Sequence, residues 1–64
     1  MGPHYDILRF FEYEHLPPHL QAVSKPFHEM AHAMAKELPE SEEVRAGLRK
    51  LLESKDCFVR ARLT

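Results

Sequence analysis

Apolar residues recur at intervals of three and four along two stretches of the chain, which is the spacing of one face of an α-helix. The first stretch, 17–38, has a stripe formed by Leu20, Val23, Phe27, Met30, Ala31, Met34 and Leu38. The second stretch, 41–62, has a stripe formed by Val44, Leu48, Leu51, Leu52, Phe58 and Val59. Because the connection between them is short, the pattern predicts an all-α fold, a kinked antiparallel helical hairpin.

Local sequence features predict where these helices begin and end. The prolines at 17 and 18 suit the first turn of the first helix, and Pro39 ends it. Ser41 is expected to cap the second helix. Pro26 lies inside the first pattern and removes a backbone donor, which predicts either a kink or a restart of the helix with Ser24 as its cap.

Two positions interrupt the second stripe. Gly47 lies in mid-helix, where glycine costs about 1 kcal/mol relative to alanine. We interpret it as a point of close packing between helices. Lys55 falls where the stripe would place an apolar residue, so a charge is expected next to the packed face.

An aromatic segment, 5–16, precedes the helices and contains four of the six Phe and Tyr residues. Asp6 could cap one short helical turn over 7–11. As a free tail the segment would leave large apolar groups in water, so we expect it to be ordered, either across the helices or on a neighbour. Residues 1–4 are expected to be disordered or to come from a cloning vector, and 1–64 to form one domain.

The chain is short for a self-sufficient core. It has 64 residues and one cysteine, Cys57, which excludes an internal disulfide and a zinc knuckle built from cysteines. A core of this size supplies no more than about 3–5 kcal/mol of stability. A lone hairpin also leaves its outer apolar faces uncovered. We therefore expect a homo-oligomer.

Charge is divided unevenly along the chain. Residues 1–43 hold three basic and eight acidic residues, and 44–64 hold six basic and two acidic ones, for a net charge of −1. The near-zero total argues against DNA binding but not against a local anion site, and pairing of the two helices is an alternative explanation of the division. No apolar run reaches the length of about 18 residues that a membrane span needs. The start lacks a secretory signal, so a cytoplasmic location is expected.

The segment from His28 to His32 reads H-E-x-x-H, the zinc-binding pattern of a family of metalloproteases. A catalytic zinc also needs a third protein ligand and a substrate cleft. The acidic residues downstream, Glu40, Glu42 and Glu43, lie beyond the far end of the same helix. We therefore interpret the pair as solvated or interface histidines, and expect no metal, no cofactor and no enzymatic activity.

A second group of residues favours a nucleotide ligand. Phe11 and Tyr13 precede Ser24, Lys25 and the basic second helix. Aromatic faces stack on bases and lysine binds phosphate oxygens, and Ser24 and nearby amides would add donors if the helix restarts there. Together they suit a small ligand with a few negative charges. The alternative is that the aromatic rings belong to the core and Lys25 is merely solvated.

Residues 11–27 and 47–61 resemble short proteins of actinobacterial phages. The shared features are Phe11-x-Tyr13, the proline-opened first helix, and Leu48-x-Lys50-Leu51 in the second. The resemblance is to the helical-hairpin family of phage sponges, which counter the CBASS and Thoeris immune systems by sequestering cyclic-nucleotide signals. The chain lacks the family's Trp-Ala-Asn stretch late in the second helix, which leaves the ligand class open.

This resemblance implies a homo-oligomer, typically a hexamer, that binds cyclic di- or trinucleotides between protomers in the infected bacterial cell without cleaving them. Cyclic ADP-ribose isomers are a further ligand class. By resemblance, Tyr13 is the base-stacking tyrosine, Lys25 the phosphate-contacting lysine, and Arg60 a basic residue near the end of the second helix. The alternative function is a small structural or protein-interaction hairpin with no nucleotide ligand.

Overall fold

The computed structural model describes residues 5–64, which form three helices. A 3-10 helix spans Asp6–Phe11, helix α1 spans Pro18–Glu37 and helix α2 spans Glu42–Leu63. No strand occurs within this range, so the prediction of an all-α fold is confirmed. The expectation for residues 1–4 concerns a part of the chain outside the described residues.

Helices α1 and α2 pack against each other in opposite directions. Only residues 38–41 connect them, and next to this connection Leu38 and Val44 line one groove. Away from it, the rings of Phe27 and Phe58 stack with their centres 5.9 Å apart. A residue in the first half of α1 thus meets one near the end of α2, which confirms the hairpin.

The helix boundaries follow from backbone hydrogen bonding. Pro18 is the first residue of α1, where its missing N–H costs no intrahelical bond. The Leu38 N–H donates to the Met34 carbonyl at 3.1 Å, which closes α1 just before Pro39. The Ser41 hydroxyl accepts from the Val44 N–H at 3.2 Å and so satisfies one of the free amides that begin α2.

Helix α1 runs through Pro26 without interruption. Ser24 therefore lies inside the helix, 2% exposed, and its hydroxyl has no hydrogen-bond partner among the described residues. The alternative of a restart with Ser24 as its cap is wrong. Proline cannot donate to the carbonyl four residues earlier, but Leu20 and Ala31 on either side are both buried, and this packing keeps the helix continuous.

The buried core draws on all three helices. It consists of Tyr5, Phe11, Ala31, Ala35, Val44 and Leu48. Of the buried residues of α1, the small Ala31 and Ala35 belong to this cluster with Phe11, whereas Met30 and Met34 are 54% and 43% exposed. The stripe predicted for the first helix is therefore divided between the core and an outward surface.

Lys55 fastens the 3-10 helix to α2. Its ammonium donates to the Phe10 carbonyl at 2.9 Å and lies 3.2 Å from the Asp56 carboxylate, with only 13% of the Lys55 side chain exposed. The charge inside the apolar stripe thus satisfies a carbonyl at the end of the 3-10 helix. The suggested Asp6 cap is wrong, because this helix begins at Asp6 itself and Tyr5 occupies the cap position.

Gly47 is not a point of close packing within the protomer. A Cβ placed on it meets no atom within 4 Å, so the interpretation made from the sequence is wrong for the single chain. We expect Gly47→Ala to raise the free energy of unfolding by about 0.8–1 kcal/mol, because alanine is the better helix former. Urea denaturation followed by circular dichroism checks this. A fall in stability together with a loss of mass in light scattering would contradict it, and would show that another chain lies against Gly47.

Candidate functional site

His28 joins helix α1 to the end of the 3-10 helix. Its Nδ1 lies 3.2 Å from the carbonyl oxygen of Phe11. Because a carbonyl oxygen can only accept, Nδ1 carries the proton, and in the neutral ring the lone pair is on Nε2. The hydrogen bond therefore fixes both the position of the segment after Phe11 and the tautomer of His28.

Tyr13 is positioned by a contact of its own ring and by a hydrogen bond later in its loop. Its half-buried ring meets the His28 imidazole at 5.1 Å between centres and 68° between planes, an edge-to-face arrangement that aromatic pairs favour. After Tyr13, the side-chain amide of Gln21 donates to the carbonyl of Leu16 at 2.7 Å. The loop that bears Tyr13 is thus tied to α1 at two places.

A cavity of about 830 Å³ lies beside these contacts. Its lining includes three histidines and three acidic residues, His15, His28, His32, Asp6, Glu12 and Glu14. The rings of His28 and His32 are 4.3 Å apart between centres. Desolvation lowers the pKa of His32, nearby His28 lowers it further, and the charge of Glu12 acts in the opposite direction. On balance the pKa of His32 is lowered, which favours the neutral imidazole.

The five residues singled out from the sequence occupy different environments. Phe11 is fully buried and Ser24 is 2% exposed, so neither can touch a ligand on the protomer surface in this conformation. Lys25 is exposed and forms no hydrogen bond or ion pair with another described residue. Arg60 is exposed, and its guanidinium lies 3.4 Å from the Cys57 sulfur.

Only two of these residues are brought together. Phe11, through its carbonyl, and Tyr13, through its ring, both contact His28, whereas Lys25 and Arg60 make no polar or ring contact with them. Sequence reasoning missed His28 as the support of Tyr13, because the two lie on separate elements. The sequence analysis singled out His28 only as one of the His28 and His32 pair, and nothing in that pattern linked it to Tyr13.

A second surface feature is an apolar groove of about 290 Å³ at the connection end of the hairpin. We call this feature the apolar groove. Residues from both long helices line it, among them Met30, Met34, Leu38, Val44, Gly47 and Leu48. Three of them, Met30, Met34 and Leu38, are 43–54% exposed. Contiguous exposed apolar surface of this kind is typical of places where another molecule binds.

Comparisons of the chain with protein-family models, with curated proteins and with solved structures found no match. Within residues 5–64, neither long helix has the length and hydropathy that crossing a bilayer requires.

Proposed function

We propose that this protein is a non-enzymatic phage anti-defence protein that sequesters cyclic oligonucleotide immune signals. Its ligands are cyclic di- or trinucleotides, extending to cyclic ADP-ribose isomers, bound at interfaces between protomers in the cytoplasm of the infected bacterial cell. Two packed helices form the hairpin that the resemblance of residues 11–27 and 47–61 implies. The fold is compatible with the proposal, and the placement of Tyr13 is the observation that carries it.

Tyr13 has the properties that a base-stacking residue needs. Its ring is only half buried, and it is held by the edge-to-face contact with His28 rather than enclosed in the core. A ring fixed in advance loses little entropy when a base stacks on it. Phe11 differs, because its ring is fully buried. Under this proposal Tyr13 stacks on the base and Phe11 supports the loop from beneath.

The two positive charges proposed to bind the phosphates, those of Lys25 and Arg60, are exposed but lie on different helices. Lys25 is exposed near the middle of α1 and Arg60 is exposed in the last turn of α2. Since neither contacts Tyr13 in one protomer, we propose that the site is completed by a residue from a second protomer. The two charges would form charge-assisted hydrogen bonds with the phosphate oxygens.

Calorimetric titration with a panel of cyclic di- and trinucleotides tests this function. We expect saturable binding to at least one of them, and a linear dinucleotide of the same bases serves as the matched control ligand. Denaturing the complex should release the ligand unchanged, because a sponge holds its ligand without breaking a bond. No binding across the panel, or recovery of a hydrolysed product, would contradict the proposal.

The apolar groove supports the further proposal that the protein assembles as a homo-oligomer, a hexamer by resemblance. We expect Met34→Glu to dissociate the assembly, because it places a charge among the exposed apolar residues of the groove. Ala33→Glu is the matched control, since Ala33 is exposed on the same helix but does not line the groove. Light scattering should give several times the 7.5 kDa chain mass for the parent and for Ala33→Glu. A parent mass of one chain would contradict the assembly.

The apolar groove also favours a second candidate function, a small structural or interaction hairpin without a nucleotide ligand. An exposed groove between two helices can accept an apolar helix face from a different protein. Under this alternative Tyr13 and Lys25 have no ligand, and the calorimetric panel would give no binding. The same experiment therefore separates the two functions.

A further inference from the structure

A second apolar surface lies at the end of the hairpin away from the connection. We call it the aromatic patch. Residues from both long helices line it, Val23, Phe27, Phe58, Ala61 and Arg62. The rings of Phe27 and Phe58 stack on each other here, yet Phe58 remains 55% exposed. An exposed aromatic ring within an apolar surface is typical of a place where another molecule packs.

The aromatic patch and the apolar groove lie on the same side of the hairpin. On α1, Phe27 of the patch is followed by Met30 and Met34 of the groove at steps of three and four, which keeps these side chains on one face of the helix. On α2, Phe58 of the patch follows Leu51 of the groove by about two helical turns. The two surfaces therefore form one apolar band along the hairpin, with the groove at one end and the patch at the other.

The two ends of this band carry charges of opposite sign. Among the described residues, Glu43 is the only charged one that lines the groove, and Arg62 is the only charged one that lines the patch. Both are exposed, and neither forms an ion pair with another described residue. A groove placed on a second groove would bring two carboxylates together, whereas a groove placed on a patch brings opposite charges together.

We infer that two copies of this chain pack antiparallel through the band, so that the apolar groove of each copy receives the aromatic patch of the other. A two-fold axis across the middle of the band forms both contacts at once, because such an interface uses the same surface on both copies. Phe58 of one copy then meets Met30 and Met34 of the other, and flexible thioether side chains pack well against aromatic rings. At the rim, Arg62 of each copy faces Glu43 of the other.

This interface rests on the assembly proposed above and does not depend on the nucleotide. It yields a pair of chains, and the proposed hexamer would be built from such pairs. Among residues 5–64, it covers four of the six large apolar side chains that a single chain leaves exposed, Met30, Met34, Leu38 and Phe58. The apolar surface that the hairpin leaves uncovered is thus removed from water by the same surface on a second copy.

Reversal of the charges at the rim tests the interface. Light scattering over a dilution series of the full-length protein gives the concentration at which the assembly dissociates, in about 50 mM NaCl, where exposed charges are weakly screened. Glu43→Arg and Arg62→Glu each set like charges against each other at two places in the symmetric pair, so each should raise this concentration by about tenfold or more. The double variant restores the opposite charges and should dissociate within about threefold of the parental concentration.

Glu42→Arg is the matched control for the first variant. Glu42 is exposed in the same turn of α2 but does not line the groove, so this variant reproduces the effect of a positive charge near the helix N-terminus and should dissociate as the parent does. The apolar contact has its own matched pair. Phe58→Ala should weaken the assembly, whereas Phe10→Ala, at a similar exposure of 52% but on the 3-10 helix, should not.

Several outcomes would overturn this interface while leaving the nucleotide proposal in place. They are parental dissociation in either single charge variant, an equal loss in Glu42→Arg, and failure of the double variant to recover although its helical circular dichroism matches that of the parent. A parent mass of one chain at every concentration would overturn the interface and the proposed assembly together.

Discussion

Replacement of Phe11 by alanine is expected to lower the free energy of unfolding by about 3–5 kcal/mol, the range for a fully buried phenylalanine. Phe11 is 0% exposed and belongs to the cluster that joins the 3-10 helix to both long helices. A domain of this size has only about 3–5 kcal/mol from its core, so the protein should be largely unfolded at 25 °C. Urea titration followed by circular dichroism measures the change.

The adjacent Phe10 provides the matched control for this substitution. It is the same residue type on the same element but is 52% exposed, with the Arg9 guanidinium 4.9 Å from the centre of its ring. Phe10→Ala should therefore change the free energy of unfolding by only about 0.5 kcal/mol, as other surface substitutions do. Equal losses for the two variants would show that Phe11 is not the centre of the core.

Under the proposed function, Tyr13→Ala and Lys25→Ala are expected to weaken binding of a cyclic nucleotide by about tenfold or more each. The tyrosine supplies stacking of about 1–3 kcal/mol per base, and the lysine supplies a charge-assisted contact of about 1.5–3 kcal/mol. Calorimetry with the best ligand of the panel gives both effects. Helical signal and oligomer mass should remain those of the parent, because Tyr13 is half buried and Lys25 is exposed.

Two control variants make this experiment specific. Tyr13→Phe keeps the stacking face and should bind nearly as well as the parent, whereas Lys36→Ala removes an exposed charge from the last turn of the same helix and should have no effect. A double variant, Tyr13→Ala with Lys25→Ala, that folds, assembles and binds at parental affinity would place the site elsewhere. A loss of thermal stability in Tyr13→Ala without a separate loss of binding would instead make Tyr13 a packing residue.

The fold could be predicted wherever one residue acts on its own neighbours in the sequence. The hydroxyl of Ser41 accepts from the Val44 N–H three residues later, and Pro18 suits the first turn of α1, so the start of each long helix could be predicted from the sequence. The predicted restart of the helix at Pro26 was wrong, because packing outweighs the backbone hydrogen bond that proline removes. The apolar stripe places Leu20 and Ala31 on one face, but only the structure shows that both are buried and that the helix continues between them.

The candidate site was harder to predict because its contacts join residues far apart in the sequence. Tyr13 and Lys25 could be chosen for their chemistry, but the support of Tyr13 by His28 depends on how the loop lies on α1. Residue types indicate a chemistry, and only tertiary structure decides which of them meet.

The bond from Lys55 to the Phe10 carbonyl joins residues 45 positions apart, and this has a consequence for synthesis on the ribosome. The 3-10 helix is translated first, but the lysine that satisfies its carbonyl is made near the end of α2. At about 5–20 residues per second, the Phe10 carbonyl waits several seconds for this partner. The 3-10 helix therefore completes its hydrogen bonding only after α2 has been made as far as Lys55.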